Sequence, residues 1–114
     1  MYPHRGEIWL VKMDPSVGAE IRKTRPALVI SNDANNQYAR TITVLPITDI
    51  GQEVYPYQVY LPKETKGLIK ESKVKCEQIA TVDKSRFIKL LGNIDHTLLL
   101  ETEKAIKLHL AITD

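Results

Sequence analysis

Three basic side chains, Arg22, Lys23 and Arg25, and one carboxylate, Glu20, fall within the six residues Glu20 to Arg25, directly ahead of the apolar run Ala27-Leu28-Val29-Ile30. Arg25 precedes Pro26, and a residue before proline is pushed towards an extended backbone. That places the guanidinium at a strand mouth, where its planar fork suits phosphate oxygens. The chemistry this predicts is stabilisation of charge on a phosphoryl group. The residues alone leave an equal alternative, a structural arginine paired with Glu20 or Glu77. Thr48 ends the run Pro46-Ile47-Thr48, and its hydroxyl can donate to a phosphate oxygen; a lone threonine there is more often a turn residue. Glu20 can accept a proton or simply balance Arg22 and Lys23.

Other chemistries find no support. His4, His96 and His109 are far apart, and Cys76 is the only cysteine. No metal-ligand spacing appears, and there is no glycine-rich phosphate loop or nucleophile elbow. No cofactor and no metal are implied. A second basic cluster, Lys63, Lys66, Lys70, Lys73 and Lys75, is diluted by Glu64 and Glu71. By itself it reads as a solvated loop; bordering the same groove as Arg25, it would track a polyanion. Gln78 can read a base edge or satisfy a sheet edge. Tyr55 and Tyr57 flank Pro56 and can stack on bases or pack in the core. Trp9 reads as a packing residue.

The elements that must position these side chains are short. Glu7–Met13 is rich in strand formers and is closed by Asp14-Pro15, with a turn at Gly18. The long loop to Arg25 is of the kind that carries function. Ala27–Ile30 reads as a strand buried on both faces. One helical turn is expected from Asn32 or Asp33. Strands follow over Thr41–Ile47, Val54–Leu61 (broken early by Pro56), Ser72–Thr81 and Phe87–Ile94, with Gln78 in mid-strand and a short turn at Asp83–Arg86. Asp95 caps a helix to about Ala111, whose apolar stripe is Leu98, Leu99, Ala105, Ile106 and Leu110.

Many short strands followed by one helix predict a small, strongly bent sheet or barrel. The 114 residues fit one domain spanning 1–114, and the 43% hydrophobic content suffices for one core. A net charge of +2 is only mildly basic, so the placement of charge matters more than its sum. No stretch approaches a membrane span. The first residues lack the apolar segment of a signal peptide, and a single cysteine suits a reducing compartment. A cytoplasmic protein is expected.

Five pieces in order, Arg5-Gly6-Glu7-Ile8-Trp9, the run Asp14 to Asn32, Pro46-Ile47-Thr48, Cys76-Glu77-Gln78-Ile79 and Thr81-Val82-Asp83-Lys84-Ser85-Arg86, resemble the MazF/PemK toxins of bacterial toxin–antitoxin modules. The resemblance extends into the C-terminal helix and so covers nearly the whole chain. It implies a compact SH3-like barrel of strongly bent antiparallel strands with a C-terminal helix and short peripheral helices. It also implies a metal-independent, sequence-specific endoribonuclease that cuts single-stranded RNA, chiefly mRNA, and arrests growth. The RNA's own 2′-OH would attack the adjacent phosphorus, leaving a 2′,3′-cyclic phosphate and a 5′-OH. In that family's pattern Arg25 and Thr48 are catalytic and Glu20 is a possible general base. Ala19, Glu20, Arg22, Lys23, Gln78 and Tyr57 would contact RNA. Many relatives carry a polar residue where Ala19 stands, which bears on the target sequence. The implied partners are a second copy in a symmetric homodimer and an acidic, MazE-like antitoxin that competes with RNA. Within the superfamily the rival reading is a non-nucleolytic toxin that binds DNA gyrase; outside it, a non-catalytic nucleic-acid-binding barrel.

Overall fold

The computed structural model describes residues 1–13 and 23–113. Its strands are β1 (Glu7–Lys12), β2 (Thr24–Val29), β3 (Thr41–Asp49), β4 (Gln58–Leu61), β5 (Ser72–Lys75), β6 (Ala80–Asp83) and β7 (Phe87–Asn93). Two α-helices, α1 (Asp33–Tyr38) and α2 (His96–His109), and a 3₁₀ turn over Lys84–Arg86 complete it. All pairings are antiparallel, in the order β4-β5-β3-β2-β1-β7, with β6 also on β3. The expected mainly β fold with its C-terminal helix is present, and the described pairings leave the sheet unclosed.

β2 and β3 are apolar on both sides because both their faces are covered. Ile8, Leu28, Leu45, Ile47, Leu61 and Val74 form one core, on which α2 lays Ala105, Leu98, Leu99 and Ile106. Val11, Ala27, Val29, Ile42, Val44 and Val82 form another, edged by Trp9 and Phe87. Alternation along each strand sorts its residues between the two. The Asp95 carboxylate accepts from Leu98 N at 2.8 Å and starts α2. Arg5 bonds Glu103 at 2.7 Å and ties the helix to the strand end. Leu110, expected on the buried stripe, is half exposed. The helix ends at His109, Leu110 is its cap, and Ala111 turns into the left-handed region.

Two expected strands are shorter than the sequence suggests. Val54–Leu61 is a strand only from Gln58. Pro56 presets the second position of a turn, and Gln58 N donates to the Tyr55 carbonyl at 2.8 Å. Ser72–Thr81 is two elements, β5 and β6, lying along the same edge of β3. From Ile47 to Ile42 β3 takes five steps, while its partner takes eight from Val74 to Val82. The excess is shed in a turn beginning at Cys76-Glu77. Cys76 stays in the core, and burial together with the nearby Glu77 charge pushes its thiol from 9.0 up to about 12.

One close crossing fixes the lysine-rich connection. A Cβ on Gly92 would lie 2.1 Å from the Lys66 carbonyl oxygen, and one on Gly67, at φ +100°, would lie 2.7 Å from the Leu91 backbone. The connection therefore rests directly on β7. Gly92→Ala should cost about 1–3 kcal/mol, as overpacking does, read as a lower denaturation midpoint at unchanged slope. The raised Cys76 pKa means the native state holds a proton that the unfolded chain releases. That contribution is complete below pH 9 and disappears as pH rises towards 12. Cys76→Ser should flatten this alkaline loss of stability, measured by denaturation across that range.

Candidate active site

Residues at odd positions of β2 and even positions of β3 share one face. The β2–β3 ladder pairs Val29 with Val44 and Ala27 with Pro46, and ends there. Arg25 and Thr48 come two residues further on, each on that face. Pro46 and Pro26 carry no N–H, so the ladder loses donors where the strands part. The result is a cleft of about 280 Å³ lined by Arg25, Pro26, Thr48, Asp49, Gly67, Lys70 and neighbours. The structure thus brings together the two residues expected to be catalytic, from positions 23 apart in the chain.

The groups in this cleft are poised for an anion. Arg25 Nε is buried without a hydrogen-bond partner among the described residues. Glu77, one suspected partner, instead accepts from Gln58 Nε2 at 2.9 Å and lies 3.8 Å from Lys75 Nζ. Thr48 Oγ1 makes only a long bond, 3.2 Å, to the Asp49 carbonyl, and is easily redirected. Beyond Arg25, Lys23 holds the left-handed region at φ 67° while its carbonyl accepts from Met13 N at 2.9 Å. A lysine in that region is strained, as residues at functional sites often are.

Lys73 is the addition that sequence reasoning did not single out. The lysine-rich stretch is not one loop: Lys63, Lys66 and Lys70 belong to the connection, whereas Lys73 and Lys75 lie on β5. Lys73 stands directly across from Thr48. Its Nζ donates to the Glu53 carbonyl at 2.8 Å and sits 6.0 Å from the Tyr55 ring centroid. A carbonyl orients the ammonium without cancelling its charge. The alternation of Lys73 and Lys75 with the apolar Val74 marks a strand, but the pairing of Lys73 with Thr48 is a matter of register that no local pattern carries.

Other expected site residues lie elsewhere. Gln78 is in the irregular segment between β5 and β6, with its N–H on the Lys75 carbonyl at 3.0 Å, not in mid-strand. The three extra steps there displace it. Tyr57 stacks on Tyr55 at 5.6 Å and lies 6.0 Å from the His109 ring. Neither lines the cleft. Ala19, Glu20 and Arg22, and with them the Arg25–Glu20 alternative, lie outside the described residues. Among the described residues no group of three His, Cys, Asp or Glu is disposed to hold a metal, and no helix is long and apolar enough to cross a membrane.

Comparison with known proteins places this geometry in a family. Residues 4–110 match the model of the PemK-like, MazF-like toxins of type II toxin–antitoxin systems. The chain is 40% identical over 111 residues to the endoribonuclease MazF9 of Mycobacterium tuberculosis, covering 93% of this chain and 94% of that protein. A crystal structure of MazF from Deinococcus radiodurans superposes with a TM-score of 0.86 at 26% identity, over 98% of this chain and 99% of that one. A mycobacterial endoribonuclease in complex with its cognate antitoxin gives 0.82 at 19% identity, over 98% of each chain, and shows the shared fold.

Proposed function

Because the chain belongs to the PemK-like, MazF-like toxin family of type II toxin–antitoxin systems, we propose that it is a metal-independent, sequence-specific endoribonuclease acting on single-stranded RNA, chiefly mRNA, in the bacterial cytoplasm. The observation that carries the reading is Arg25 in a cleft beside Thr48, with its Nε lacking a hydrogen-bond partner among the described residues. Arg25 and Thr48 give that cleft a guanidinium and a hydroxyl, which suit a phosphodiester, while Asp49 is paired with Lys70.

The reaction follows from those groups. The 2′-OH attacks the adjacent phosphorus, the P–O5′ bond breaks, and a 2′,3′-cyclic phosphate and a 5′-OH form. Arg25 stabilises the charge that grows on the phosphoryl oxygens, and Thr48 donates to one of them. Lys73, across from Thr48, adds positive potential. The 2′-OH proton must be accepted and the leaving oxygen must gain one; Glu20 is the candidate acceptor. Arg25 is too basic for that role. Ala19, Arg22, Lys23, Gln78 and Tyr57 are assigned to RNA contact outside the reacting centre. The related proteins are named endoribonucleases, and the gyrase-binding reading finds no support in them.

Cleavage should persist in EDTA and yield the cyclic phosphate and 5′-hydroxyl ends, identified by mass spectrometry of the fragments. RNA with a 2′-deoxy sugar at the cut site should resist; efficient cutting of it would refute the mechanism. Arg25→Ala should slow single-turnover cleavage by about 100- to 1000-fold with the fold intact by circular dichroism. Arg25→Lys should recover little, because a point charge lacks the bidentate fork. Thr48→Ala should be similar or milder. Near-normal rates in Arg25→Ala would show the site to be misplaced.

Two partners belong to the same reading. Leu108, Leu110 and Ile112 at the end of α2, with Ile88 and Leu90 on β7, leave apolar surface exposed, and a two-fold homodimer is the common way to cover such surface. An acidic antitoxin segment that folds on binding suits the cationic cleft. RNA and antitoxin should compete in a fluorescence displacement assay, with high salt weakening RNA binding more. A ternary complex of unchanged RNA affinity would overturn the competition.

A further inference from the structure

Beside the Arg25–Thr48 cleft lies a second, open pocket of about 550 Å³, lined by Tyr60, Lys63, Glu64, Ile69, Lys70 and Glu71. The two share Ile69 and Lys70 as a common wall, and Ile69 is almost wholly exposed on it. Strand register reaches the same place: Thr48 pairs with Lys73, and Lys73 with Tyr60. Neighbouring strands are about 4.8 Å apart, so Tyr60 sits two strands, or about 10 Å, from Thr48 on the same face. A nucleotide flanking the cut falls within that reach.

The lining is unusual for a surface that must bind phosphates. Glu71 is acceptor-only, and its charge repels a phosphate. It could simply balance a nearby lysine, but among the described residues it pairs with none: Lys70 Nζ goes to Asp49 at 3.0 Å. Its hydrogen bond is from the Tyr60 hydroxyl, at 2.5 Å. That bond raises the Tyr60 pKa and so keeps the phenol a donor. One carboxylate oxygen is thereby anchored, and Oε1 has no recorded donor. The Tyr60 ring remains 40% exposed, available as a stacking platform, while Lys63 supplies charge for the backbone beside it.

We propose that this pocket is a base-reading subsite for a nucleotide next to the scissile phosphate, in which Glu71, held by Tyr60, selects guanine. Guanine presents two adjacent donors, N1–H and N2–H, on its Watson–Crick edge, the edge by which unstacked bases of single-stranded RNA are read. Adenine and cytosine offer one amine beside an acceptor, and uracil one N–H between two carbonyls. A carboxylate therefore ranks guanine first. This inference rests on the ribonuclease reading above.

The test uses the full chain and two readouts. Cut sites are mapped across a long transcript for wild type, Glu71→Gln and Tyr60→Phe. Affinities are measured for fluorescent oligonucleotides carrying a 2′-deoxy sugar at the cut site and each of the four bases at the flanking positions. Wild type should prefer guanine at one flanking position. Glu71→Gln should relax that preference about tenfold, in cutting and in affinity, and leave the other positions of the recognised sequence alone. Tyr60→Phe should move the same position less. A wild-type profile in both variants, a uniform loss at all sites with base preference intact, or a wild-type preference for uracil at both flanking positions would overturn the proposal. If no RNA is cut, the ribonuclease reading fails separately, and guanine selectivity lost in Glu71→Gln binding still supports the subsite.

Discussion

A guanidinium nitrogen shut away from water, with nothing to bond among the described residues, is the constraint around which the cleft is arranged. A buried donor without a partner costs about 1–3 kcal/mol, more when charged. Arg25 Nε is in that position among the described residues. The cost is sustained because the backbone at Arg25 is held on three sides: by pairing to Val11 on β1, by Pro26 after it, and by the end of the ladder at Ala27–Pro46. On the ribonuclease reading proposed above, a phosphoryl group in the cleft meets a guanidinium already held in place when charge develops on it.

The walls of the cleft depend on elements distant from the chemistry. The crossing of Lys66-Gly67 over Leu91-Gly92 admits no Cβ on either chain, so Gly67, Leu68 and Lys70 line the cleft at a distance set by backbone contact. β3 supplies Thr48 because its earlier half is locked on both edges, to β2 over Val44–Pro46 and to β6 over Thr41–Val44. The turn that sheds the extra residues at Cys76-Glu77 lets β5 resume pairing at Val74–Ile47. Without that turn, Lys73 would not face Thr48. Core packing and site geometry are two views of one set of registers.

The succession of strands, the last helix and the extended backbone at Arg25 were legible because each leaves a local mark, whereas Thr48 was singled out only by the family resemblance. Asp95 ahead of Leu98 marks a cap, alternation about Val74 marks a strand, and Arg25-Pro26 marks an extended backbone. The break at Pro56 was legible in the proline itself, but not that the strand begins only after it, at Gln58. The displacement of Gln78 was not written locally at all: it follows from the difference in steps between β3 and its partner, a property of two segments distant in the chain. The same applies to Lys73. Its neighbours in sequence are lysines and glutamates, whereas its neighbours in space are Thr48, Tyr60 and the Glu53 carbonyl.

The near-neutral net charge, +2, is resolved by the same pairings. Lys70 and Lys75 each face a carboxylate, Asp49 and Glu77, and Arg5 faces Glu103. Among the described residues Arg25 Nε at the cleft lacks a hydrogen-bond partner, and Lys73, across from Thr48 on β5, is held by a neutral carbonyl. Exposed ion pairs contribute little stability, but they remove charge from the field around them. Positive potential is therefore left where Thr48 stands, flanked by a guanidinium on β2 and an ammonium on β5. A chain that bound polyanions by total charge would hold any nucleic acid and lose it in salt. On the proposed ribonuclease reading, cancelling charge at the rim and keeping it at the centre makes affinity depend on placing one phosphate correctly.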